Sequence, residues 1–306
     1  MIIVNKFGGG IIDGAIPIKH LSIIFENFSP QDYSVNVFSA FGKTTNNLEK
    51  IVKSYIDGEK KESEKLLGEL KAFHLEIASQ LFTKEHSIFS IIEEEFKKIN
   101  DTFSKIGHLE DYKFIYDQIV PFGEILASLI IGNYFSFIGI SNKLVNATDF
   151  LCTDSNFGSA NVDKNATLLN LNLKINEEVF KSYKNIITQG FIGFSKSNSI
   201  NNSKCMTTLG RGGSDYTAGL LGDLIHANKV VLWKDVPGVM EKNPKLSGNE
   251  NVKKIDFLTY DDLSGLLQDV ALGLVHPKTL KEVKEKKIPL QVRPFWDLNS
   301  TGTLIS

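Results

Sequence analysis

Cysteine is nearly absent from this chain of 306 residues: Cys152 and Cys205 stand far apart and match no metal-ligand spacing. That speaks against a disulfide framework and fits two unpaired thiols in a reducing compartment. The six histidines form no HxxxH pattern, which counts against a transition metal held by His and Cys. Net charge is also lacking. Lys and Arg number 34 against 36 Asp and Glu, so there is no global basic field to draw in nucleic acid or an anionic membrane, and any phosphate must be bound locally. The longest apolar run, Phe122 to Ile140, is broken by Glu124 and Asn133 and reads as a buried helix followed by a strand, not a membrane span. MIIVNKFGGG has none of the parts of a secretory signal, and the expected location is the cytoplasm. No repeat or low-complexity linker is present. The Walker pattern GxxxxGK[ST], the protein-kinase HRD and DFG set, and GxGxxG are all missing, which removes two common phosphate machines and a dinucleotide dehydrogenase.

What is there describes an α/β protein. A hydrophobic content of 42% over this length supports one large domain or two closely packed lobes. IIVNKF is a short apolar strand, GGG a tight loop, and Ile18, Leu21, Ile23, Ile24, Phe25 and Phe28 form a helical stripe; SVNVFSA then gives a second strand, FGKTT a loop, and a helical pattern starts at Asn46. This β-α-β-α opening predicts parallel strands with crossover helices. Residues 46–120 are rich in Lys and Glu with apolar residues at helical spacing, such as Leu66, Leu67, Leu70 and Phe73, and read as a helical insertion whose charges are solvated faces. Further on, FGEILASLIIGNYF is a helix, NIITQGFIGF a buried strand, KVVLWKDVPGV a strand entering a turn, and KKIPLQVRPF with TGTLIS a strand and an extended end. The expected division is an N-terminal substrate lobe, 1–200, including the helical block, and a C-terminal nucleotide lobe, 201–306.

One stretch carries more chemistry than the rest. In TTLGRGGSDYTAGLLGDLIHA, Gly210, Gly212 and Gly213 let backbone N–H groups converge at the start of a helix, where the dipole favours an anion. Arg211 adds a planar fork for carboxylate or phosphate, and Asp215 a carboxylate, although a helix cap is an alternative role for it. Ligands of parallel sheets sit at the carboxyl ends of strands, and KFGGG, SAFGKTT, TTLGRGGSD and WKDVPGV all occupy such positions. Together they bring Lys6, Lys43, Arg211, Lys234 and Lys245 near Ser39, Thr44, Thr45 and Asp215. Several cations, glycine-lined donors and no nucleophile–base pair suit phosphoryl transfer, a reaction run by positioning and charge neutralisation. His276, ahead of Pro277, is read as a side chain hydrogen-bonded at a helix end.

KFGG, SAFGKTTN, PFGE, TDSNFG, TTLGRGGSDYTA, WKDVPGV with NPK, HPKT and TGTLIS, in that order over nearly the whole chain, resemble the aspartate kinases of the amino acid kinase family. The resemblance implies a three-layer αβα sandwich with a mostly parallel central sheet, ATP with Mg2+, and phosphorylation of the side-chain carboxylate of L-aspartate at the head of lysine, threonine and methionine biosynthesis. It implies that Lys6 contacts the phosphates and that Asp215 lies near the reacting groups. Ser39 and Thr45 match substrate-side hydroxyls, Glu124 the carboxylate that holds the amino group, and Arg211 with Ser214 the clamp on the α-carboxylate. A lone Glu124 in an apolar helix otherwise lacks a partner, and an unpaired buried carboxylate is costly. Gly8, Gly9, Gly10, Trp233, Lys234, Asp235, Gly238, Met240 and Lys245 fall on the nucleotide side, with core packing an equal reading for Trp233. No protein-held metal site and a homodimer are expected.

Two departures stand out. Gly10 and Ile11 occupy positions where the family has Thr or Ala and then Ser, and Gly273 replaces a lysine before the HP dipeptide; Lys234 is expected to compensate for that cation. Because many aspartate kinases continue into small regulatory domains past the equivalent of GTLIS, insensitivity to lysine and threonine is also expected. A kinase for another small acid and a non-catalytic nucleotide-binding homologue are the alternatives.

Overall fold

The computed structural model describes residues 1–106, 110–196, 204–242, 252–269 and 274–306. Its strands are β1 (Ile2–Phe7), β2 (Tyr33–Phe38), β3 (Asn142–Leu144), β4 (Cys152–Thr153), β5 (Asn185–Gln189), β6 (Ile192–Ser195), β7 (Cys205–Thr208), β8 (Lys229–Lys234), β9 (Phe257–Leu258), β10 (Leu290–Pro294) and β11 (Thr303–Ile305). Its helices are α1 (Ala15–Glu26), α2 (Thr44–Ile56), α3 (Lys60–Leu81), α4 (Ile88–Ile106), α5 (Tyr112–Ile119), α6 (Phe122–Phe137), α7 (Ala147–Phe150), α8 (Lys164–Lys174), α9 (Glu177–Ser182), α10 (Gly213–Leu224), α11 (Tyr260–Asp269) and α12 (Pro277–Glu285).

The main sheet has eight strands in the order β3-β5-β2-β1-β8-β10-β11-β9, parallel throughout except where β10 meets β11. Strand side chains alternate between faces, and here both faces are apolar. Phe7, Phe38, Ile187, Val231 and Trp233 join residues of α1 to α6 in one core, while Val4, Val35, Val37, Val230 and Leu232 join α7 to α12 in the other. A parallel sheet buried on both sides needs a helical layer on each, and the expected αβα sandwich results. The helical block at 46–120 shares the first core with the central strands, through Leu48, Leu70, Ile92 and Ile115 among others. The expected lobe boundary at residue 200 lies outside the described residues.

NIITQGFIGF is two strands, not one. Gly190 and Phe191 separate β5 from β6, with Phe191 at φ 71°, and β6 leaves for a second sheet of order β4-β6-β7. The reason is a close approach: a Cβ on Gly190 would lie 2.6 Å from the Cβ of Ser214, so only glycine lets the start of α10 sit against this turn. The apolar stretch Tyr112–Phe137 has the length and composition of a membrane span, yet 78% of its most apolar window is buried within the fold, as in a core helix.

Candidate active site

The carboxyl ends of β1, β2 and β8, the loop after β7 and the start of α10 surround one cavity of about 750 Å³. Its wall includes Lys6, Gly9, Gly10, Ser39, Thr45, Glu124, Gly210, Arg211, Gly212, Ser214, Asp215 and Lys234. Lys6 and Arg211 therefore face a common space.

Asp215 lies in the first turn of α10. It does not cap the helix; that position is taken by Gly212, at φ 72°. Its carboxylate is held between two ammonium groups instead. Lys6 Nζ is 2.7 Å from Oδ1, an ion pair off the hydrogen-bond line, and Lys234 Nζ donates to Oδ2 at 3.0 Å. Burial pushes the Asp215 carboxyl up, but the two lysines outweigh it and hold its pKa at about 2. Burial also draws Lys6 below its ordinary range, opposed by Asp215 and assisted by Lys234. Two cations around one anion leave a net positive charge on this wall, beside the N-terminus of α10, which suits a polyphosphate.

Glu124, which lines the same cavity, is in the opposite condition. It is 2% exposed, Oε1 accepts the Ala40 N–H at 3.3 Å, and Oε2 has no hydrogen-bond partner. Burial raises its pKa to about 8, against the opposing pull of the Ala40 N–H. An unpartnered buried oxygen on a cavity wall is a place for a cationic ligand group. The cavity lining thus combines a cationic group with a carboxyl able to accept an ammonium.

The glycines of the 210–213 loop are there for contact as well as for φ. A Cβ on Gly212 would fall 2.3 Å from Cδ2 of His276. His276 also caps α12, accepting the Lys278 N–H at 3.2 Å, as read from the sequence. Gly9 approaches Ala40 O so closely that a Cβ would lie 2.5 Å away, which joins the loops after β1 and β2.

Several sequence candidates lie elsewhere. Trp233 is 2% exposed, stacks on Phe7 at 5.8 Å and donates to Asn5 Oδ1 at 3.1 Å; it belongs to the core and not to the cavity wall. Gly8, Asp235, Gly238 and Met240 do not line the cavity either. Lys43 is exposed and Thr44 is buried against α6. Lys245 and Gly273 lie outside the described residues. Ile11 is buried in the first core, so no apolar group enters the site at that position, whereas Gly10 has open space around it. Conversely, Glu49, Tyr112, Lys113 and Tyr116 complete the wall although the sequence reading placed their block at the surface. The Tyr112–Tyr116 spacing, one helical turn ahead of PFGE, was the available signal. Tyr112 donates to Glu49 Oε1 at 3.2 Å, tying α5 to α2.

This geometry has relatives. Residues 1–294 match the model of the amino acid kinase family. The chain belongs to that family. It is 28% identical over 310 residues to aspartokinase 1, chloroplastic, of Arabidopsis thaliana, covering 99% of this chain and 52% of that protein. It is 28% identical to lysine-sensitive aspartokinase 3 of Escherichia coli, covering 99% and 64%. The solved structure of E. coli aspartokinase III in complex with aspartate and ADP superposes with a TM-score of 0.86 at 27% identity, covering all of this chain and 64% of that one. The chain thus spans about half to just under two thirds of the length of these relatives. Family membership fits the three-layer fold.

Proposed function

We propose that this member of the amino acid kinase family transfers the γ-phosphoryl group of ATP to the side-chain carboxylate of L-aspartate, giving 4-phospho-L-aspartate and ADP. The observation that carries this reading is one cavity whose lining holds both the Lys6–Asp215–Lys234 group and Glu124, with its unpartnered Oε2. Glu124 would take the acceptor's ammonium, and Arg211 with Ser214 its α-carboxylate, leaving the second carboxylate free to face the phosphates. Ser39 and Thr45 would supply hydroxyls on the acceptor side. A carboxylate oxygen then attacks the γ-phosphorus and the bond to the β,γ-bridging oxygen breaks. Lys6 would follow the charge on the transferring group, Lys234 would neutralise the neighbouring phosphates, and Asp215 would hold both lysines in place. No proton needs to be removed from the acceptor, which explains how the site does without a general base.

Among the described residues no three His, Cys, Asp or Glu side chains converge on one point. Magnesium keeps most of its water and binds through phosphates and one or two carboxylates, so such a site fits an ion carried by the nucleotide, with Asp215 the carboxylate beside it. Bound there, Mg2+ would offset phosphate charge. Gly9 and Gly10 would offer backbone donors, and Gly8, Asp235, Gly238, Met240 and Lys245 are retained on the nucleotide side on the strength of the resemblance. A homodimer in the cytoplasm completes the reading; ultracentrifugation tests the first part.

The deciding experiment is a coupled assay with ATP, Mg2+ and a panel of small acids, with hydroxylamine trapping the acyl phosphate. Hydroxamate from L-aspartate alone is the expected result. Hydroxamate from a different acid would reassign the acceptor, and nucleotide binding without turnover of any acid would refute a catalytic role.

A further inference from the structure

The strand that delivers the glycine loop is an edge strand held by side chains. Among the described residues, β7 pairs with β6 on one side only. On its open side, two consecutive residues of α5 take the place of a neighbouring strand. Gln118 Oε1 accepts the Met206 N–H at 3.2 Å, and Gln118 Nε2 donates to the Met206 carbonyl at 2.9 Å. Asp117 Oδ2 accepts the Thr208 N–H at 2.9 Å and Oδ1 accepts the Thr208 hydroxyl at 2.6 Å. The same Oδ2 accepts the Gly158 N–H at 2.9 Å, and the Thr208 carbonyl is taken by the Ala160 N–H at 2.9 Å. Both residues on this edge are therefore fully satisfied, by a helix and by the loop at 154–161.

Asp117 is completely buried, and each of its bonds comes from a neutral donor. A carboxyl is an expensive way to close a strand edge, since desolvation opposes its charge. What it provides is one small group able to accept three hydrogen bonds at once, which neither an amide nor an apolar side chain can do in this orientation. The location gives that provision a use. Thr208 is followed by Leu209 and then the loop bearing Arg211, in which Gly210 and Gly212 have φ of 76° and 72°. Glycine pairs of this kind do not fix a direction by themselves; the anchors at either end do. At the far end the anchor is α10, and at the near end it is the grip of Asp117 and Gln118 on β7. The helix that supplies this grip also lines the cavity with Tyr112, Lys113 and Tyr116.

We propose that Asp117 is a positioning residue of this site: through Thr208 and Gly158 it sets the direction in which the glycine loop presents Arg211, and it locks that loop to the helix that lines the cavity with Tyr112, Lys113 and Tyr116. The inference rests on the kinase reading given above and extends it to a residue that touches neither substrate.

The test uses Asp117→Asn, Thr208→Val and the double variant in the full chain, with Thr208→Ser as the conservative control. An amide at position 117 keeps one acceptor oxygen of the two and so cannot accept all three bonds, and Thr208→Val removes only the hydroxyl. Kinetics and amide hydrogen exchange of residues 154–161 and 204–216 are measured together. For Asp117→Asn we expect acceptor kcat/KM to fall about tenfold to a hundredfold, the scale of a misdirected binding group, with nucleotide KM within about twofold. Exchange at Thr208 and Gly158 should rise about tenfold as the edge opens. Thr208→Val should show a smaller loss in the same direction, Thr208→Ser should behave as the wild type, and the double variant should be no worse than Asp117→Asn. Acceptor and nucleotide parameters that fall together, or an unchanged acceptor kcat/KM despite faster exchange, would overturn the proposal. Should Asp117→Asn fail to fold, Thr208→Val against Thr208→Ser decides the matter alone. A wild-type chain that phosphorylates no acceptor refutes the kinase reading, and the positioning role with it, whereas an active wild type with indifferent variants refutes only the positioning role.

Discussion

Glu124 offers the sharpest test of how the cavity works, because its charge is the feature most at odds with its surroundings. With one oxygen unpartnered and its pKa raised to about 8, the carboxyl is mostly protonated in the unliganded protein at neutral pH. The displacement from 4.5 corresponds to roughly 5 kcal/mol against ionisation in the empty site. An acceptor ammonium needs the ionised form, so acceptor binding releases a proton. The sign follows. A folded pKa above the unfolded one means that the protonated carboxyl favours the fold, with stability lost as pH rises from the ordinary carboxylate range through about 8. Acceptor binding must run the other way, improving with pH until Glu124 is ionised and then levelling. At pH 6 only about one molecule in a hundred carries the carboxylate, and at pH 7 about one in ten, so acceptor KM should fall roughly tenfold over that unit and less steeply above it. The acceptor's ammonium stays protonated throughout, and nucleotide KM serves as the internal reference. Glu124→Gln removes both the charge and the titration. It should lower acceptor kcat/KM by about 10²- to 10³-fold, as expected for a buried pair worth roughly 3 to 4 kcal/mol, and flatten the pH profile. The same variant should unfold no more easily than the wild type at pH 8, where the empty wild-type site carries an uncompensated charge. A wild-type acceptor KM that is flat from pH 6 to 8, or a Glu124→Gln variant with normal acceptor kinetics, would refute the assignment.

Three further outcomes follow from the same geometry. Lys234→Ala should raise the KM for ATP more than about tenfold by removing a charge-assisted contact, whereas Lys6→Met should act mainly on kcat; equal effects of both on kcat alone would deny Lys234 its separate role. Gly212→Ala places a Cβ 2.3 Å from the His276 ring at a residue of φ 72°, and a loss of about 2 to 3 kcal/mol in denaturant unfolding is expected, from strain and from displacement of the ring. Trp233→Phe leaves Asn5 Oδ1 without its donor and should cost about 1 to 3 kcal/mol of stability while leaving nucleotide KM unchanged; a raised KM would return Trp233 to the nucleotide site.

How much could be read in advance differs from residue to residue. Lys6, Glu124 and Arg211 were legible because each breaks a local rule: a charge at the end of an apolar strand, a carboxylate in an apolar helix, an arginine among glycines; Asp215 was legible from its place in the same glycine loop as Arg211. Such conflicts mark chemistry, and the structure brings all four to one cavity. Lys234 was legible as a cation but not as the second arm around Asp215, since that pairing depends on β8 lying beside β1. Trp233 could not be assigned, because an aromatic residue at a strand end satisfies a core and a ligand pocket equally well. The wall formed by Glu49, Tyr112 and Tyr116 was hidden for a related reason: on an amphipathic helix, a charge facing water and a charge facing a cavity have the same spacing.

The sequence by itself determined the alternation of strands and helices, the positions of the loops at strand ends and the kinds of group those loops carry, because periodicity and glycine placement are local properties of the chain. Only the tertiary structure decided which groups meet. Pairing of β1 with β8 brings Lys6 and Lys234 to the two oxygens of Asp215, packing of His276 against Gly212 joins α12 to the glycine loop, and α5 closes the edge of β7 with Asp117 and Gln118. Each of these contacts spans 19 residues or more along the chain, a distance over which no local pattern carries information; only tertiary packing fixes them.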